Sequence, residues 1–284
     1  MPIQHTRLCQ KLGAAFCMVL MSSVTGGHAA KAEYSSILQD MVGHKAVYDI
    51  NLIKTKPGSK VISVKGQVTY EARPDCVGWS SQFDFDMEYV YVDNPPLKMK
   101  STIVSYENVA DQSYNFGLER TALGKVVDTR KGEARLEDDG LKVHVSAPKD
   151  ENNIYDAPVI FPMAHTFNLI QKARAGKRFY SADIYDGFDD TGVMNVNAVI
   201  TSLDERLAYN RGADVTALAA LDGEYWRVNL GYFARGDEEA QSIYELRGTL
   251  YDNGVLDDVV LNYHDYEISQ EIKSIEFLPA PACE

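Results

Sequence analysis

Asp190-Thr191-Gly192 is the first place in this sequence to look for catalysis. Aspartic proteases carry D-T-G and need two carboxylates that share one proton. Here Phe188-Asp189 stands where an apolar strand should lead into the triplet, and no second copy exists. The segment reads instead as an acidic hairpin loop between Phe179–Tyr185 and Val193–Thr201. Asp183, Asp186, Asp189 and Asp190 are near enough in sequence to suggest calcium, but their spacing misses the EF-hand pattern. Solvated turn acids or a weak surface calcium site are the readings left, and no metal site is assigned. Beyond the first thirty residues the histidines are His44, His144, His165 and His264, with no H-E-x-x-H and no pair at metal-ligand spacing. G-x-S-x-G, the P-loop and G-x-G-x-x-G are also missing, so no cofactor is expected and no catalytic residue is assigned. His165 reads as a hydrogen-bonding partner of a neighbouring strand. The rival reading is a hydrolase with an unfamiliar site around His165 and the Asp183–Asp190 loop.

Two other groups of side chains matter. Trp79, Phe83, Phe85, Tyr89 and Tyr91 recur at period two. Such a stripe is either plain core or the wall of an open barrel that admits an apolar ligand. These five are the candidate ligand-binding residues. Cys76 and Cys283 are the cysteines left once Cys9 and Cys17 are set aside with the N-terminal segment. In an exported chain an even pair favours a disulfide over two free thiols. No C-x-x-C occurs, and two cysteines alone do not make a zinc site.

The elements that must position these residues are nearly all strands. In Trp79–Val92 the apolar residues alternate with Ser80, Gln82, Asp84, Asp86 and Glu88, which predicts a half-buried antiparallel strand. Val47–Ile53 and Val61–Tyr70 flank the turn cluster Lys56-Pro57-Gly58-Ser59 and predict a hairpin. Short strands follow at Ile103–Tyr106, Tyr114–Leu118, Lys125–Arg130 and Leu141–Val145. Later ones are predicted at Tyr225–Ala234, Ser242–Tyr251, Val259–Tyr266 and Ile272–Leu278. Asn253-Gly254 is a strong hairpin signal, because both residues tolerate positive φ. Pro162–Ala175 loses period two and predicts one central helix of about three turns, with Pro162 in its first turn, Lys172 and Arg174 in its last, and Gly176 just past its end. A dozen or so strands with one helix and no linker predict a single β-rich domain over residues 31–284, barrel-like or a sandwich.

Residues 1–30 are read as a secretory signal peptide. Arg7 and Lys11 precede the apolar run Leu12–Val24, and small residues follow it. The run is shorter than the roughly 20 residues of a membrane span, and no later stretch approaches that length. The chain has 284 residues, 45% hydrophobic and 24% charged, which is ordinary for a globular protein. Its formal net charge of -13 argues against a nucleic-acid binder and against a polybasic hold on anionic lipid.

Several pieces in order carry a family resemblance. They are HKAVYD at His44–Asp49, CVGW at Cys76–Trp79, IFPMAHT at Ile160–Thr166, ARAG at Ala173–Gly176, YDG at Tyr185–Gly187, YDNGV at Tyr251–Val255, and Cys283. With them the chain resembles the EipB family of alphaproteobacterial periplasmic proteins over nearly its whole length. The resemblance implies a mainly β fold, an open antiparallel β-barrel or β-spiral with a helix against it, similar in outline to periplasmic lipoprotein carriers. It implies a Cys76–Cys283 disulfide, a periplasmic location and a role in cell-envelope integrity without established enzymatic activity. A lipid-like or peptide ligand and a periplasmic tetratricopeptide-repeat partner are the expected associations. The chain departs from the family's pattern in the acidity of Phe188-Asp189-Asp190 and in Met163, where a smaller polar residue is commoner.

Overall fold

The computed structural model describes residues 41–202, 223–236 and 241–283. The expected signal peptide lies outside these residues. Fourteen strands form one antiparallel sheet. In chain order they are β1 His44–Thr55, β2 Val61–Pro74, β3 Gly78–Tyr91, β4 Leu97–Asn108, β5 Ser113–Ala122, β6 Lys125–Glu137, β7 Gly140–Ala147 and β8 Glu151–Tyr155, then β9 Phe179–Tyr185, β10 Val193–Ser202, β11 Tyr225–Ala234, β12 Tyr244–Tyr251, β13 Leu256–Asn262 and β14 Tyr266–Phe277. A helix, α1 (Pro162–Arg174), lies between β8 and β9. The spatial order runs β8 to β1, then β14 back to β9. The two halves of the chain are therefore two meanders joined where the first strand pairs with the last, Ala46 opposite Ile275 and Ile50 opposite Gln270.

The free edges are β8 and β9, and no ladder joins them. Side chains fill the seam instead. Tyr155 of β8 meets Tyr185 of β9 at 5.9 Å between ring centroids. Arg130 donates from Nε to the Gly187 carbonyl at 2.8 Å and pairs with Asp190. One isolated parallel bridge, Ile160 to Ile184, ties the segment after β8 to β9. Tyr114, Phe116, Leu141, Val143 and Val193 make the apolar layer beneath. Phe116 lies against Gly187, where a Cβ would come within 2.6 Å of its ring at φ +76°. Gly187→Ala is therefore expected to cost about 1–3 kcal/mol through strain in the left-handed region and the ring clash. Urea unfolding checks this; an unchanged midpoint would show that the seam tolerates displacement.

Helix α1 sits inside the curl of the sheet. Met163, Ala164, Phe167, Leu169, Ile170 and Ala173 are buried, and they pack against Trp79 of β3, Val196 of β10, and Trp226 and Val228 of β11. Its C-terminus is closed by a Schellman arrangement, with Lys177 N–H donating to Lys172 O and Gly176 N–H to Ala173 O. The N-cap residue Phe161 offers no side-chain acceptor. The Glu107 carboxylate of β4 replaces it, accepting from Met163 N at 2.8 Å and Ala164 N at 3.0 Å.

One local reading needs correction. The predicted strand Val259–Tyr266 is two strands with a turn, in which Tyr263 N–H donates to Tyr266 O. The turn has no glycine or proline, so composition hides it. Strand β8 (ENNIY) is not among the predicted strands, because it carries too little alternation to be recognised. At Asn253-Gly254 the expected hairpin joins β12 to β13 as a three-residue turn, in which Gly254 takes the positive φ and its N–H bonds Tyr251 O.

Candidate functional site

The inner faces of β1–β4 and β11–β14 do not fill the space they enclose. Between them and α1 lies a cavity of about 510 Å³, within the 300–1,000 Å³ or so typical of small-molecule sites. Its long walls are apolar or aromatic. They include Tyr48 of β1, Val68 and Tyr70 of β2, Ile103 of β4, Leu230 of β11, Leu246 of β12, and Val259 and Leu261 of β13. In an antiparallel meander the turns alternate between two ends. One end of the cavity holds His44 at the start of β1, Trp79 at the start of β3, and Met163 and His165 of α1. The opposite end holds Tyr232 and Tyr244 beside the β11–β12 turn and Tyr263 of the β13–β14 turn; Asp186, Phe188 and Asp189 of the β9–β10 turn complete the lining next to the start of α1, where Ile160 bridges Ile184 and the Tyr114 hydroxyl donates to the Asp186 carbonyl.

The aromatic stripe of β3 divides along this axis. Trp79, Phe83 and Phe85 line the cavity. Trp79 is buried, whereas Phe83 and Phe85 face inward yet stay only half-buried, because open space rather than packed side chains lies before them. Phe83 stacks on Tyr70 at 4.4 Å. Tyr89 and Tyr91 share the same face farther along β3 but stack on each other outside the cavity lining.

Three residues around the cavity each carry a polar atom without a partner. His44 Nε2, His165 Nε2 and Trp79 Nε1 are all buried and unbonded. The His44 tautomer follows from its other nitrogen, which lies 3.0 Å from the Val42 carbonyl. A carbonyl only accepts, so Nδ1 donates and Nε2 of the neutral ring is an acceptor. Burial lowers the pKa of both histidines, that of His165 to about 4, so each is neutral near pH 7. Burial raises Asp186 to about 6, against the Phe188 N–H that its carboxylate accepts. Unpartnered buried polar atoms are costly; these three are enclosed among neighbouring side chains, so the cost is carried by the packing around the cavity.

The rival catalytic arrangement does not assemble. His165 stacks on Tyr180 at 5.5 Å, and its Nε2 is bonded to neither Asp183 nor Asp186. Asp183 is held by Arg235 and Asn195, and Asp190 by Arg130. Among the described residues no group of three His, Cys, Asp or Glu side chains is placed to hold a metal. Cys76 and Cys283 form a disulfide with a Cα–Cα distance of 5.5 Å. Reading the sequence did not single out Glu107 or the tyrosines Tyr232, Tyr244 and Tyr263. Their roles depend on partners far away in the chain.

Comparison with known proteins follows the same geometry. A solved β-barrel-like protein of a domain of unknown function from Brucella abortus superposes with a TM-score of 0.76 at 23% identity, covering 84% of this chain and 99% of that one. The curated "Cell envelope integrity protein EipB" of Brucella abortus (strain 2308) is 25% identical over 253 residues, 88% of this chain and 89% of the relative. The EipB-like family model matches residues 36–279, nearly all of the described structure, and the chain therefore belongs to the EipB-like family.

Proposed function

We propose that this protein is a non-enzymatic, periplasmic component of the cell envelope that holds a lipid-like or extended peptide ligand inside its open, barrel-like sheet. The observation that carries the reading is the aromatic-walled cavity of about 510 Å³ between the sheet and α1. Family membership supports the envelope role, through a relative named for cell-envelope integrity. A hydrolytic role gains nothing from the geometry, since His165 lacks both a carboxylate partner and a neighbouring nucleophile motif. A periplasmic tetratricopeptide-repeat partner belongs to the same proposal.

Native mass spectrometry of the protein isolated from periplasm tests the ligand. The expected result is an added mass that organic solvent releases. A bare chain mass that stays unchanged when lipid extract is added would sink the carrier reading and leave the partner reading, which affinity capture from periplasm addresses.

A further inference from the structure

The cavity offers carboxylates and aromatic side chains but no cation. Among the described residues no lysine or arginine lines it; its charged side chains are Asp186 and Asp189. Arg130, the guanidinium nearest the acidic turn, is spent on the Gly187 carbonyl and on Asp190. The Asp186 carboxylate accepts one backbone N–H, from Phe188. It stands close enough to Tyr232 and Tyr244 for its charge to act on both hydroxyls. Those two rings stack at 4.3 Å, and Tyr263 lies 6.1 Å from Tyr244. Stacked tyrosines beside a carboxylate form the kind of surface that binds an ammonium, through ring faces and direct charge. An anionic head would meet the carboxylates of Asp186 and Asp189 and no compensating cation.

We propose that the cavity selects amphiphiles with a cationic head, an amine or quaternary ammonium, seated between Asp186 and the Tyr232–Tyr244–Tyr263 cluster with the chain along the apolar walls. This rests on the carrier reading above, and the test separates the two.

Calorimetry at physiological salt would compare three ligands of equal chain length below their micelle concentrations: dodecyltrimethylammonium, lauroyl glycerol and laurate. Trp79 fluorescence would report entry of the chain. Dodecyltrimethylammonium is expected to bind at least tenfold more tightly than laurate. Asp186→Asn, which keeps the oxygen that accepts from Phe188, is expected to weaken it about tenfold and to leave lauroyl glycerol unchanged. Asp150→Asn removes one charge from an exposed loop and controls for the general acidity of the chain. Equal binding of all three ligands, or equal effects of the two substitutions, would overturn the head-group selectivity while leaving the carrier reading intact. Failure of all three to bind would remove both.

Discussion

Replacing either disulfide cysteine by serine is expected to lower the melting temperature by roughly 10 °C, the combined result of a lost loop constraint of a few kcal/mol and a shift of about 2–4 °C per kcal/mol in a domain of this size. Cys76 lies in the β2–β3 turn. That turn is already pinned, since the Asp75 carboxylate accepts from Val77 N, Gly78 N and the Tyr106 hydroxyl. Cys283 lies on the tail beyond β14, whose one backbone anchor nearby is Leu278 N–H to Gly43 O. The bond thus joins a fixed turn to a weakly held tail across 207 residues of sequence. Closing so long a loop removes conformational freedom chiefly from the unfolded chain, with a ceiling of about 5 kcal/mol. A mechanism that acts through the unfolded state makes a sharp demand. Cys76→Ser, Cys283→Ser, the double variant and the reduced protein should all lose the same stability. Their urea m-values should also rise together, because the freed chain expands further on unfolding. Serine variants as stable as the oxidised protein would refute the constraint. Singles much worse than the double would assign the effect to a stray thiol.

The parts of this fold that were legible in the sequence are those governed by neighbours in the chain. Alternation along Trp79–Tyr91 fixes which residues of β3 face inward, and it holds from Trp79 to Met87. The helix is legible because Pro162, Lys172, Arg174 and Gly176 mark its ends locally. What alternation cannot supply is where the inward face stops being packed. Phe85 borders open space and Tyr89 does not, and that difference is set by strands β11–β14 on the other side of the curl. Strand pairing across the chain decides the site in the same way. Asp186, Tyr232, Tyr244 and Tyr263 converge because three connections, β9–β10, β11–β12 and β13–β14, line one cavity. The acidic loop was visible as acid, but its aromatic surroundings come from segments up to 77 residues away in the sequence (Asp186 to Tyr263).

Glu107 shows the same limit most sharply, and it leads to the second large effect. Glu107→Ala is expected to destabilise the protein by about 2–5 kcal/mol, because it strands two buried N–H groups at the start of α1, each worth about 1–3 kcal/mol when unsatisfied. The near-isosteric Glu107→Gln variant removes the charge and, because Met163 N and Ala164 N bond different carboxylate oxygens, also loses one of the two hydrogen bonds, a cost that does not vary with pH. Two influences compete on this carboxyl. The Met163 and Ala164 N–H groups and the helix N-terminus favour the ionised form, while burial opposes it. Burial is the larger, and it pushes Glu107 from 4.5 up to about 7. A carboxyl raised in the folded state binds its proton more tightly there than in the unfolded chain. The stability it contributes is therefore complete below about pH 4.5 and is lost as pH rises through about 7, an amount of roughly 3 kcal/mol at 1.36 kcal/mol per pH unit. His165, lowered to about 4, works in the opposite direction over an overlapping range, so the total pH profile alone would mislead. The difference between wild type and Glu107→Gln cancels that background. It is expected to be largest near pH 4.5 and to shrink steadily toward pH 8 in urea unfolding. A difference that grows with pH would mean that the two N–H groups and the helix dipole outweigh burial, and that α1 is held by a full negative charge.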